Sequence, residues 1–230
     1  PSLQRAAWIV VAHASFELQK YPDAEAGYNN VLRLTPKDDK SVEGFYDNLA
    51  ASIYKQGELA GKAEDHKTAA GHYLRIAQAA PNSKIRPTAE YDAASALLKL
   101  KDWDRAVEVL QGFRKSYPAH ELQGEVTKKI AFAYREAGKL TVAAAEYERI
   151  AATDGTAEVQ RAALWQAAEL YAAAGQPANE ARLYEAIVMR FPAPPAEALE
   201  ARYKLASIAA ADADWQARKR WLEAIVAADA

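Results

Sequence analysis

A recurring spacing of residues constrains this chain more than any other feature. Tyr21, Ala24, Tyr28, Val31 and Pro36 are separated by gaps of 3, 4, 3 and 5. The same gaps separate His66, Ala69, Tyr73, Ile76 and Pro81, and again Trp103, Ala106, Leu110, Phe113 and Pro118. Leu140, Ala143, Tyr147 and Ile150 keep the spacing, with Gly155 in the proline's place; Pro177, Glu180, Tyr184, Ile187 and Pro192 keep it with Glu180 in place of the small residue. Gaps of 3 and 4 lie on one face of an α-helix, and a proline just beyond stops it.

A second helix precedes each of these. It reads apolar, then small, then often aromatic: Trp8, Val11, Ala12; Tyr46, Leu49, Ala50, Ile53; Ala93, Ala94, Leu97; Ile130, Ala131, Tyr134; Leu164, Ala167, Ala168, Tyr171; Leu205, Ala206, Ala209. Gly57, Gly138 and Gly175 suit helix C-termini, where a left-handed residue ends the last turn. Alanine makes up 54 of the 230 residues. It is the best helix former and lets helices approach closely. Ala12, Ala24, Ala50, Ala69, Ala94, Ala106, Ala131, Ala143 and Ala168 are the expected meeting points of helix backbones, and Trp8, Tyr28, Tyr73, Tyr147 and Tyr184 are expected to pack.

These residues resemble the tetratricopeptide repeat, a helix–turn–helix unit of 34 residues. The resemblance covers six copies, near residues 5–38, 43–83, 87–120, 124–157, 161–194 and 199–230. It implies an all-α fold, a right-handed α-solenoid forming a single domain over residues 1–230. Successive copies lie about 37 residues apart, so the linkers are longer than the family's. Repeat two carries about seven extra residues in Glu58 to Asp65, Ala/Glu/Lys-rich and without proline, which predicts lengthened helices rather than a loop. The chain opens Pro1-Ser2 and holds one methionine, Met189. It is therefore expected to be a processed form or an excised piece.

The same residues exclude much chemistry. There are 29 Lys+Arg against 31 Asp+Glu, so no basic excess exists to neutralise a nucleic-acid backbone. No cysteine is present, which removes disulfides, thiolate nucleophiles and Cys-ligated metals. His13, His66, His72 and His120 include no i, i+4 pair, and no phosphate-binding glycine loop or nucleophile elbow appears. His72 reads as an exposed flank residue. Asp23, Asp102 and Asp104 read as helix-start residues, Arg218-Lys219-Arg220 as a solvated face, and Phe191 to Pro195 as a stiff linker. No apolar run is long enough to span a bilayer. No enzyme activity, cofactor or metal is expected.

What remains is a binding surface. The resemblance implies that the first helix of each pair lines a concave groove for a protein or peptide. Carried over by position, Tyr54, Tyr91, Lys128, Phe132, Arg135, Trp165 and Tyr203 fall there. Tyr91, Phe132 and Trp165 are expected to stack along one side, with Lys128 and Arg135 meeting acidic groups of a ligand. Aromatic residues and arginine are the types that dominate interface energetics. The reading is a non-catalytic interaction scaffold; the alternative is a regulatory or peptide-sensing module of a larger protein. A looser resemblance, in Phe113-Arg114-Lys115-Ser116-Tyr117-Pro118 and the repeat spacing, points to bacterial cell-envelope members and to the periplasm or envelope over the cytoplasm. The sequence sets no oligomeric state.

Overall fold

The computed structural model describes residues 2–153, 155–192 and 195–228. Among the described residues there are twelve α-helices and no strand. They form six consecutive pairs: α1 (Ser2–Glu17) with α2 (Tyr21–Leu34), α3 (Val42–Lys62) with α4 (His66–Ala79), α5 (Arg86–Lys99) with α6 (Trp103–Ser116), α7 (Gln123–Glu136) with α8 (Leu140–Thr153), α9 (Ala157–Ala173) with α10 (Pro177–Arg190), and α11 (Pro195–Ala211) with α12 (Trp215–Ala228). Three pairs make one compact unit, Pro1–Ala119, and three make a second, His120–Ala230. Within each unit every helix packs on the next along the chain.

One turn is used six times. Gln19, Glu64, Lys101, Gly138, Gly175 and Ala213 all have φ between 57° and 71°. Each stands two residues before the second helix of its pair. The following amide reaches back five residues to a helix carbonyl: Lys20 to Ser15 at 2.8 Å, Asp65 to Ala60 at 2.9 Å, Asp102 to Leu97 at 3.0 Å, Lys139 to Tyr134 at 2.9 Å, Gln176 to Tyr171 at 2.9 Å and Asp214 to Ala209 at 2.8 Å. That bond satisfies carbonyls which the helix end leaves without partners. Asp65 and Asp214 then cap the second helices by accepting from the amides of Thr68 (3.0 Å) and Ala217 (2.9 Å). Asp102 holds the same position before α6 but makes no cap bond; its carboxylate accepts from Arg105 at 3.3 Å.

The seven extra residues of repeat two go into α3, which is 21 residues long while α4 keeps 14. This corrects the expectation for Gly57. The glycine does not end a helix; it lies inside α3 and is buried. A Cβ there would stand 2.5 Å from a ring carbon of Tyr73, so glycine is what lets that ring lie against α3. The left-handed turn falls on Glu64, displaced by the length of the insertion. Gly138 and Gly175 do occupy the expected turn positions. Helices α2, α4, α6 and α10 stop one residue before the one preceding Pro36, Pro81, Pro118 and Pro192. Of the stretch expected to be a stiff linker, Phe191 is buried, and Ala193 and Pro194 lie outside the described residues.

All nine frame alanines are at most 1 % exposed. Around them one core gathers Tyr28, Leu49, Ile53, Tyr73, Ile76 and Leu97 in the first unit, and another gathers Leu164, Tyr171, Leu183, Tyr184 and Ile187 in the second. Burying each such side chain contributes about 1.5–3 kcal/mol. Tyr147 packs against the second core from a partly buried position, and Trp8 is also partly buried. His72 departs from the exposed-flank reading. It is half-buried, and its Nδ1 lies 3.0 Å from the Arg75 guanidinium, which also donates to Glu25 at 2.8 Å. Burial, and then Arg75, hold its imidazole below the ordinary range. Burial alone would raise the Glu25 carboxyl, but hydrogen bonds from Arg75 and Gln56 overcome it and keep the carboxyl low.

Candidate partner-binding face

The seven expected face residues sit on first helices, four of them at one frame position. Tyr91, Lys128, Trp165 and Tyr203 are the fifth residues of repeats three to six. Phe132 is one turn further along α7, and Tyr54 and Arg135 another turn along α3 and α7. The frame alanines at the eighth position are buried in the helix seams; of the face aromatics, Phe132 and Tyr203 are exposed, while Tyr54 and Trp165 pack partly against the cores.

In the first unit Tyr54 leans into the core. Its ring centroid is 5.1 Å from that of Tyr73, and its hydroxyl donates to Asp92 on α5 at 2.5 Å. Burial, and then the hydrogen bond to Asp92, push its phenol well above the ordinary value. Tyr54 and Asp92 line a cavity of about 350 Å³ between α3, α4 and α5; the added turns of α3 supply Glu58, Gly61 and Lys62 to its wall. Tyr91 is half-buried on α5, and its carbonyl accepts from Ser95 at 2.9 Å.

In the second unit Lys128, Phe132 and Arg135 lie at i, i+4 and i+7 on α7 and share one side of that helix. Phe132 is 38 % exposed, a large value for a phenylalanine flanked by the fully buried Ala131 and Ala133. The Arg135 guanidinium carbon is 5.4 Å from the Phe132 ring centre, within cation–π range. Lys128 pairs with Glu125 at 2.9 Å and Arg135 with Glu136 at 3.1 Å. Both pairs are exposed, and such pairs are worth at most about 1 kcal/mol, so an incoming carboxylate can replace either partner cheaply.

Trp165 on α9 is half-buried. One edge packs on Tyr184 at 5.1 Å between centroids, and its Nε1 donates to Glu169 at 2.9 Å. Its remaining surface forms one wall of a cleft of about 400 Å³ between α9 and α11. Glu158, Arg161, Gln166, Glu197 and Glu200 complete the cleft, and Arg161 is ion-paired with Glu197 across it. Burial, followed by the charges of Glu180, Glu169 and Glu200, pushes the Tyr184 phenol upward. Tyr203 is exposed on α11. The cleft residues around Trp165 were not anticipated from sequence. Their signal was the repeat period itself, since Arg161 and Glu197 are 36 residues apart.

Among the described residues no group of three or more His, Asp or Glu is placed to hold a metal ion, and no helix is long and apolar enough to cross a membrane.

A tetratricopeptide repeat family model matches residues 88–120, which take in most of α5, the turn at Lys101 and α6. No curated protein matches the chain significantly. Among solved structures, the chain is similar to a MamA RS-1 double mutant at 16% identity, covering 78% of this chain and 94% of that one, with a TM-score of 0.48. It is similar to BtubC from P. vanneervenii at 12% identity, covering 99% and 90%, with a TM-score of 0.46. It is also similar to PilW, a type IV pilus biogenesis factor, at 14% identity, covering 97% and 92%, with a TM-score of 0.42. Six helix pairs with one shared turn run along the described residues, and the third of them, over residues 88–120, matches the tetratricopeptide repeat model.

Proposed function

We propose that this chain is a non-catalytic interaction scaffold whose first helices hold a segment of a protein partner. One observation carries the reading. On α7 and α9, Phe132 and Trp165 keep part of their aromatic surface outward, while Ile130, Ala131, Leu164, Ala167 and Ala168 are buried in the seams. An aromatic ring kept half in water beside a close-packed alanine seam is a poor investment for folding and a good anchor for binding. Arg135 stacked on Phe132 supplies a positive rim to α7, whereas the cleft beside Trp165 is rimmed by carboxylates. A segment lying across both would carry an acidic group toward α7 and a basic or amide group toward α9.

The test is a titration of the purified partner against the chain and its Phe132→Ala and Trp165→Ala variants. Each substitution is expected to weaken binding by about 2 kcal/mol, as for buried aromatic anchors. Full affinity in both variants rejects this face. A location in the bacterial envelope rests on the sequence resemblance around Phe113 to Pro118, and fractionation of the protein in its native host tests it separately.

A further inference from the structure

We propose that the cleft between α9 and α11 receives an arginine side chain of the partner segment, its guanidinium laid on the indole of Trp165 and held by Glu158 and Glu200. The proposal rests on α9 being part of the partner-binding face and adds the chemistry that α9 selects.

The cleft lies inside the second unit, with a described helix on each side, and encloses about 400 Å³. That is the size of a pocket for a small ligand or a large side chain. Its aromatic wall is fixed from two directions. The Trp165 ring meets Tyr184 at 71°, with centroids 5.1 Å apart. Its Nε1 donates to Glu169, one helical turn on, at 2.9 Å. With the N–H satisfied, the indole offers the cleft only carbon and π surface. Among aromatic side chains, indole attracts a cation most strongly. The repeat frame does not call for it, since Lys128 holds the same position one repeat earlier.

The charges of the cleft favour the same ligand. Arg161 and Glu197 satisfy each other across it: Nε of Arg161 is ion-paired with one carboxylate oxygen, and its Nη2 donates to the other at 3.4 Å. Glu158 on α9 and Glu200 on α11 remain. Both are exposed lining residues, and among the described residues neither side chain makes a hydrogen bond or an ion pair. Lys204, one turn beyond Glu200 on α11, does not line the cleft. Two carboxylates without partners, carried by different helices, therefore share a cleft with an indole. Like charges gathered in this way draw in a cation.

Arginine suits the cleft better than lysine. Its guanidinium is flat, weakly hydrated and able to stack on an aromatic face, while its N–H donors point outward in the ring plane toward carboxylates on either side. The ammonium of lysine has no flat face and gives up more water on entry.

The probe is Nα-acetyl-arginine amide, and the matching citrulline derivative, of the same shape without the charge, is its control. The readout is the indole N–H resonance of Trp165, assigned by its loss in Trp165→Phe; the chain has five tryptophans, so four others serve as internal references. The arginine derivative should shift the Trp165 resonance saturably in the millimolar range, as expected for so small a ligand. The lysine derivative should bind more weakly, and the citrulline derivative should leave the resonance in place. Glu158→Gln and Glu200→Gln should each weaken binding about threefold, with melting unchanged. Equal shifts from the arginine and citrulline derivatives overturn the proposal, as does the absence of a saturable Trp165 shift with arginine, or undiminished arginine binding when both glutamates are replaced. No partner protein is present, so the two failures stay separate. A partner indifferent to Phe132→Ala and Trp165→Ala rejects the face, whereas a partner that needs Trp165, together with equal arginine and citrulline binding, rejects only the guanidinium.

Discussion

Replacing Gly27 with alanine should loosen the first helix pair, although alanine is the better helix former. Gly27 lies inside α2, and a Cβ built on it would stand 2.8 Å from the Cβ of Ala12 and 2.9 Å from its Cα. The second contact decides the outcome, because Cα belongs to the backbone of α1 and no rotamer can move it aside. Restoring ordinary contact requires the helices to part by about half an ångström or more, which gives up dispersion contacts along the seam. Overpacking of this kind costs about 1–3 kcal/mol. Helix propensity returns about 1 kcal/mol for Gly→Ala in a helix interior. The net expectation is a loss of up to about 2 kcal/mol. Gly71 provides the control: it lies inside α4 with nothing within 4 Å of its Cβ site. There the same substitution should stabilise by about 0.5–1 kcal/mol. Urea unfolding of both variants, followed by circular dichroism, isolates the packing contribution as their difference. Equal stabilisation in the two would refute the close approach of α1 and α2.

The repeated left-handed turn predicts opposite outcomes at equivalent positions. Ala213→Gly should stabilise the chain by about 0.5–1 kcal/mol by relieving a side chain at φ 57°, and Gly138→Ala should destabilise it by a similar amount; unfolding curves of the two variants decide this. Asp39 is held at about 2, first by hydrogen bonds from the Ser41 hydroxyl (2.7 Å) and amide (2.9 Å), then by Arg5 at 2.8 Å. Its folded pKa is below the unfolded one, so its contribution is complete above about pH 4 and is lost as the pH falls through about 2. A carboxyl NMR titration should therefore show a larger rise of the midpoint in Ser41→Ala than in Arg5→Ala.

The alanine frame was legible in the sequence because close helix packing leaves a small residue no alternative. All nine positions expected at the seams are buried. Gly57 was not legible, because its reason lies in another helix. The insertion moved the turn to Glu64, and the ring of Tyr73 lies where a Cβ would go. Four of the six left-handed turns carry no glycine, so their chemistry alone gave no sign; only the period marks them. The polar ties divide in the same way. Tyr54 with Asp92, Ser83 with Asp47, Arg161 with Glu197 and Arg182 with Glu148 are 34 to 38 residues apart. That is one repeat, so a search for complementary residues at that separation finds them. Glu25 and Arg75, 50 residues apart, join α2 to α4 across α3 and fall outside any such search.

Site-specific photocross-linking tests most directly whether partner contact occurs on α7 and α9. A photoreactive residue replaces Phe132 or Trp165 in turn, and Val142 or Met189 on the exposed sides of α8 and α10 as controls. Positions 132 and 165 should capture one and the same polypeptide, and the controls should not. Capture of that polypeptide from positions 142 and 189, with none from 132 and 165, would contradict it.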